Sequence, residues 1–116
     1  MKKVLVVDDA AVDLKNLEKI VSRSGAVVLT ASSGEEALLK AKEHCPSLIL
    51  MDVNMPGLDG FSTARQLAGN TLTKNIPVVF VTSKSQKADR VFAQMLGAKG
   101  YVTKPYRAED ILSHLF

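Results

Sequence analysis

Five side chains capable of chemistry stand directly after short segments that read as strands: Asp8 and Asp9 after Val4–Val7, Asp52 after Leu48–Met51, Thr82 after Val78–Val81, and Lys104 after Tyr101–Thr103. Singly, each has an ordinary structural explanation. Short carboxylates make turns and helix caps, threonine suits strands, and a lysine beside a turn proline is a solvated charge. Together they describe something more demanding. Carboxylates gathered in one place repel each other by about 4 kcal/mol per pair at about 4 Å and an effective dielectric near 20, so the cluster needs a cation. Oxygen ligands on short side chains favour a hard ion, and Mg2+ takes one or two carboxylates while keeping waters for a phosphate-bearing partner. A lysine and a hydroxyl opposite the carboxylates add positive charge and a donor for anionic oxygens. The set suits a phosphoryl group.

Competing chemistries are poorly provided for. The only cysteine is Cys45, and the two histidines, His44 and His114, fall at no zinc-like spacing and read as ordinary helix residues. The segment Val7-Asp-Asp-Ala-Ala-Val12 contains no glycine, so it is neither a dinucleotide fingerprint nor a phosphate-cradling loop. A phosphatase with an aspartate nucleophile is chemically open. No insertion is large enough to cap a substrate, however, and the second acid such an enzyme would want two residues beyond Asp52 is Asn54.

The apolar runs that precede these residues are the pattern of strands buried on both faces. Between them the period changes. Leu14, Leu17 and Val21 recur at helical spacing, with Gly25 where a left-handed C-cap would sit, and Val27–Thr30 reads as a further strand. Ser33 and Glu36 form a capping-box pattern ahead of Ala37, Leu38 and Ala41, in a helix that ends before Pro46. Turn signals at Pro56-Gly57 and Asp59-Gly60 precede a helix through Phe61, Ala64 and Leu67. Ala88, Val91, Phe92, Met95 and Leu96 define the clearest amphipathic helix, with Gly97 ending it. Ile111, Leu112 and Leu115 predict a last helix over Arg107–Phe116, held by docking of those three residues and frayed at its end. Five alternations of strand and helix imply an α/β fold: a parallel sheet with right-handed crossovers and helices on both faces. In such a sheet ligands gather at the carboxyl ends of the strands, where the five residues stand.

A length of 116 residues leaves room for one core and excludes a second folded domain. A hydrophobic share of 47%, a charged share of 23% and a mean hydropathy of +0.10 exclude a disordered or collagen-like chain. With one cysteine and no secretory leader pattern, the chain is expected to be a reduced, cytoplasmic protein. Its apolar runs are far short of the roughly 20 residues that span a bilayer. The net charge of +3 comes without any basic run longer than Lys2-Lys3, so no nucleic-acid footprint is visible. Three of the 12 acids are Asp8, Asp9 and Asp52; the remaining nine face 15 bases, which makes the rest of the surface more basic than the total suggests.

The segments Val4-Leu-Val-Val-Asp-Asp9, Leu48-Ile-Leu-Met-Asp52, Met55-Pro-Gly-Leu-Asp-Gly60, Val79-Phe-Val-Thr82 and Gly100-Tyr-Val-Thr-Lys-Pro105 resemble, in order and over the whole chain, the receiver domains of two-component response regulators. The resemblance implies a flavodoxin-like, doubly wound (βα)5 fold with strand order 2-1-3-4-5, and a single receiver domain over 1–116 without an effector domain. By resemblance, Asp52 accepts a phosphoryl group from a sensor histidine kinase or a small phosphodonor. Asp9, Asp52 and the backbone carbonyl of Asn54 bind Mg2+ directly, and Asp8 binds it through a water. Lys104 pairs with the phosphoryl group and its bond to Pro105 is cis. Thr82 turns its hydroxyl to the phosphoryl oxygens, Tyr101 swings inward, and Asn54, Ser83 and Lys84 tune the phosphoryl lifetime. Catalysis is limited to the chain's own phosphorylation and dephosphorylation.

The same resemblance places the output on the face of the fourth helix, fifth strand and fifth helix, near Lys87, Arg90, Tyr101 and Arg107, where a separate protein partner would bind a monomer or weak homodimer. Nucleic acid and membrane are not expected partners. Within the family, Ser83 to Tyr106 is most similar to stand-alone receivers of chemotaxis, twitching and phototaxis systems. The alternative is a receiver-like binding module that works without phosphorylation; the intact set of Asp8, Asp9, Asp52, Thr82 and Lys104 argues against it.

Overall fold

The valine-rich run at the start of the chain lies within a strand, Lys3–Val7 (β1), and the four later runs form Val27–Ala31 (β2), Leu48–Met51 (β3), Val78–Thr82 (β4) and Gly100–Thr103 (β5). The computed structural model describes residues 2–115. All strand pairs are parallel and the order is β2-β1-β3-β4-β5, as the resemblance implied. The helices between them are Ala11–Arg23 (α1), Gly34–His44 (α2), Gly60–Ala68 (α3), Lys87–Met95 (α4) and Ala108–Leu112 (α5).

Continuous apolar runs are explained by two cores, one on each face of the sheet. Leu5, Val7, Ile49, Met51, Val78 and Phe80 meet Ala37, Ala41, Ala64, Leu67 and Ala93 of α2, α3 and α4. The alternate residues Val4, Val6, Leu48, Leu50, Val79, Val81 and Val102 meet Leu17, Val21 and Ile111 of α1 and α5. Because side chains alternate along a strand, a sheet buried on both sides must be apolar at every position.

Three local expectations are refined. Ser33 caps α2, its hydroxyl accepting the Glu36 N–H at 3.1 Å, but Glu36 returns its bond to the N–H of Ser32 at 2.8 Å. The reciprocal bond is thus made one residue before the cap, and it holds the Glu36 carboxyl below its ordinary range. In α4 the apolar stripe is not the core face expected of it. Only Ala93 is buried, while Val91 is 44% and Met95 77% exposed. The helix flanks the edge strand β5, so no further strand lies beneath that part of the stripe.

The last helix is also shorter than predicted, five residues in place of Arg107–Phe116. Ile111 is fully buried and Leu115 packs on the same core, but Leu112 is 41% exposed and takes no part in docking. His114 lies in the turn beyond α5, not in a helix, with its ring against Gly100, whereas His44 ends α2 as expected. Phe116 falls outside the described residues.

Candidate functional site

Strand register delivers the predicted residues to one place. Val7 pairs with Ala31 on one side and Met51 on the other, so Asp8 and Asp52 emerge side by side. Thr82 pairs with Thr103, which puts Lys104 one step past the sheet edge. The backbone continues the ladder at each exit: Asp8 N–H donates to Ala31 O at 3.1 Å, Asp52 N–H to Val7 O at 3.0 Å, and Lys104 N–H to Thr82 O at 2.8 Å. Each functional residue therefore sits on the last rung of a rigid sheet, which fixes its Cα more tightly than a free loop would.

Lys104 is the hub. Its Nζ donates to Asp8 Oδ2 at 2.8 Å, Asp13 Oδ2 at 3.0 Å and Asp52 Oδ2 at 3.1 Å. Burial opposes the ammonium charge, but the hydrogen bonds it donates to Asp8, Asp13 and Asp52 outweigh it and hold the lysine well above its ordinary value. The bond from Lys104 to Pro105 is cis, as expected. Asp8 is fully buried; burial raises its carboxyl above the ordinary range, against the lowering effects of Lys104 and of the Ala10 N–H on Oδ1 at 2.9 Å. Asp52 is also buried, and its Oδ1 accepts the N–H of Asn54 at 3.2 Å. Asp9 is exposed.

Asp8, Asp9 and Asp52 each present a carboxylate oxygen within 4.8 Å of the others. Lys104 touches Asp8 and Asp52 of this group but not Asp9, so one ammonium faces a three-carboxylate cluster with a formal excess of two negative charges, and Asp13 adds a further acid beside the lysine. An all-oxygen donor set with surplus negative charge fits a hard divalent cation.

Thr82 is fully buried and its Oγ1 accepts the N–H of Lys84 at 3.3 Å. The carbonyl of that same Lys84 accepts the hydroxyl of Tyr101 at 2.7 Å. The Tyr101 ring makes a tilted contact with Phe80, with centroids 6.3 Å apart, and the Arg90 guanidinium lies 5.0 Å from the Tyr101 ring centroid. Ser83, Asn16, Pro105 and Tyr106 line the rim beside Asp13 and Lys104.

One site residue, Asp13, escaped the sequence reading, and Gly60 was legible there only as a turn signal and part of a motif. Asp13 stands in the first turn of α1, where an acid is favoured by the helix dipole whatever its function, so its type carried no signal. Gly60 opens α3 against the backbone that follows β3: a Cβ there would lie 2.1 Å from Asp52 O and 2.8 Å from Val53 Cα. Neither contact is a flexible side-chain end, so Gly60→Ala is expected to cost about 3 kcal/mol and to displace Asp52. Urea denaturation measures the first effect, and a weakened Mg2+ titration the second.

Residues 4–116 match the sequence profile of the response regulator receiver domain. The chain belongs to this family. Protein PilH of Pseudomonas aeruginosa is 38% identical to this receiver over 112 residues, covering 97% of the chain and 93% of PilH. The alkaline phosphatase synthesis transcriptional regulatory protein PhoP of Bacillus subtilis is 42% identical over 110 residues, covering 95% of the chain but 45% of PhoP. The receiver thus spans nearly all of one relative and less than half of another. Among solved structures, chemotaxis protein CheY4 of Vibrio cholerae superposes with a TM-score of 0.93 at 31% identity, covering 99% of this receiver and 96% of that chain. Receivers are signalling modules of two-component systems, and their Mg2+ site is an acidic pocket of the kind that Asp8, Asp9 and Asp52 form here.

Proposed function

We propose that this receiver is a phosphorylation-driven switch: Asp52 accepts a phosphoryl group from a sensor histidine kinase, and the output is a changed affinity for a separate protein partner. The observation that carries this reading is the Asp52 carboxylate held 3.1 Å from Lys104 beside two further aspartates. Attack by an Asp52 oxygen forms a bond to phosphorus as the bond to the donor nitrogen or oxygen breaks, the electron pair leaving with the donor. Such transfer asks a protein mainly for positioning and charge neutralisation. The sheet end positions the nucleophile, and Lys104 supplies a cation for the arriving oxygens.

Bound Mg2+ would neutralise charge shared by donor and acceptor. Asp9, Asp52 and the backbone carbonyl of Asn54 would hold it. Asp8, fully buried with its oxygens on Ala10 and Lys104, is assigned an indirect, water-mediated role, and the exposed Asp9, with no side-chain partner among the described residues, a direct one.

Lys84 supports a route from the site to the surface. Its N–H bonds Thr82 and its carbonyl bonds Tyr101. A Thr82 hydroxyl that turns to phosphoryl oxygens changes its bond to Lys84 N–H, and the same peptide segment anchors Tyr101, so the aromatic ring responds. Tyr101 opens onto the α4-β5-α5 face, where Arg90 also bonds Thr103 at 2.6 Å and Val91, Met95 and Leu112 are exposed beside Lys87 and Arg107. We assign partner binding to this face. Asn54, Ser83 and Lys84 border the site and are assigned the tuning of phosphoryl lifetime. The chain is read as a receiver throughout, cytoplasmic, and monomeric or weakly homodimeric, without nucleic acid or membrane; among the described residues no helix is long and apolar enough to cross a membrane.

Incubation with Mg2+ and acetyl phosphate tests the reading by intact mass. One added phosphoryl group, absent when the metal is chelated before the donor is added, is expected. A chain that gains no adduct yet still captures a partner through the α4-β5-α5 face would instead be a phosphorylation-independent module, and sustained turnover of an external phosphoester would make it a phosphohydrolase.

A further inference from the structure

We propose that Asp13 is a positioning residue for Lys104: it holds the ammonium at rest, yields it when a phosphoryl group arrives, and thereby sets how readily an anionic phosphodonor is accepted. This inference rests on the reading of Asp52 as phosphoacceptor.

An ammonium has three protons to donate. In Lys104 all three are engaged, by Asp8 at 2.8 Å, Asp13 at 3.0 Å and Asp52 at 3.1 Å. A phosphoryl oxygen can reach the lysine only by displacing one of these carboxylates, and they do not yield equally. The Asp8 side chain is 0% exposed and its other oxygen is tied to Ala10, so releasing it would strand a buried charge. Asp52 is the acceptor itself. Asp13 is 47% exposed, and Lys104 is its one side-chain partner among the described residues. Water can take over its oxygens at small cost.

Position adds to this argument. Asp13 lies outside the three carboxylates that share a cation-sized space, so its charge acts on the lysine and on whatever enters beside it. It is also held at the mouth: Asn16, three residues along α1, donates to the Tyr106 hydroxyl at 3.1 Å and ties the helix to the segment that follows Lys104. Asp13, Asn16, Ser83, Lys104 and Tyr106 line one opening. Any donor phosphate entering there must displace Asp13 from the lysine and pass its negative charge.

The test compares Asp13→Asn and Asp13→Glu with the unsubstituted chain in Mg2+-dependent adduct formation from acetyl phosphate, followed by intact mass over a range of donor concentrations. The asparagine variant is expected to half-saturate at about fivefold lower donor concentration, with maximal rate little changed, because exposed charge pairs are worth about one such factor. The glutamate variant should move back toward the unsubstituted value. The gap should shrink as salt is raised to about 0.5 M, where screening acts over about 4 Å. Equal half-saturation in all three chains at low salt overturns the proposal while leaving the phosphoacceptor reading intact. So does a raised Mg2+ requirement in the asparagine variant, which would assign Asp13 to the cation, or an effect confined to the thermal midpoint. No adduct in the unsubstituted chain overturns both.

Discussion

Asp52→Asn is expected to abolish the phosphoryl adduct and, in the absence of Mg2+, to raise the stability of the fold by about 1–2 kcal/mol. The first effect follows because an amide of the same size fills the same space without a nucleophilic carboxylate. The second follows from the charges. Asp52 shares a space of 4.8 Å with Asp8 and Asp9, and its attraction to Lys104 is divided with Asp8 and Asp13. Neutralising it removes two close repulsions and one shared attraction; the amide oxygen still accepts from Lys104, and the loss of the 3.2 Å bond from the Asn54 N–H offsets part of the gain. Denaturant midpoints check this. Mg2+ should narrow the difference, because a ligand that binds the folded state stabilises the chain with the better site more. A lower midpoint for the variant would mean that the lysine outweighs the repulsion.

Lys104→Met should have the opposite effect on stability, a loss of about 3–5 kcal/mol at neutral pH. Methionine replaces the aliphatic stem but leaves Asp8 fully buried with no counter-charge and Asp52 nearly so. The pH dependence follows from directions of shift. The Asp8 carboxyl is already raised above 3.8 by burial, and losing Lys104 removes an influence that lowers it. A raised carboxyl favours the folded state only below its folded value, so the variant's deficit is full at neutral pH and shrinks as acid protonates Asp8. Lys104 is itself raised above 10.5, so its stabilisation is complete below that pH and is lost as pH climbs beyond it. The gap between the two chains should therefore be flat from neutral pH to about 10 and close at both extremes. Denaturation across this range measures it, and a gap unchanged in acid would remove Asp8 from the explanation. The variant should also form adduct more slowly, since no other cation contacts Asp52 among the described residues.

Much of this arrangement was legible before any coordinates. Asp8, Asp52 and Thr82 are legible because each ends a run of apolar residues, and such a run in a strand buried on both faces ends where the sheet ends; Lys104 follows the shorter, mixed segment Tyr101–Thr103. Val4–Val7, Leu48–Met51 and Val78–Val81 announce their faces by having no polar ones. The order of the strands was not contained in those runs; it came from the resemblance of five motifs, since pairing between β1 and β3 joins segments 40 residues or more apart whose local patterns are alike. α4 shows the limit of periodicity. Ala88, Val91 and Met95 form a regular apolar stripe, but whether a stripe is buried depends on what lies opposite, and beside the edge strand β5 part of it meets solvent. α5 shows another, because Leu112 and Ile111 are alike in type and only the approach of the sheet selects Ile111.

What the sequence determined by itself is the chemistry: carboxylates, a hydroxyl and a lysine at strand ends, the absence of any rival ligand set, and the alternation that makes a parallel sheet. These are properties of residue type and short spacing, and they survive without knowledge of distant contacts. Tertiary structure alone decided who shares the lysine. Asp13 is 91 residues from Lys104 and Asp8 is 96, so their bonds exist only because the exits of β1 and β5 and the start of α1 meet at one end of the sheet. The same closure sets Gly60 against the Asp52 carbonyl and hangs Thr82 and Tyr101 on one peptide segment at Lys84. Charge and shape there depend on the distances between segments, and those distances are fixed by packing rather than by local pattern.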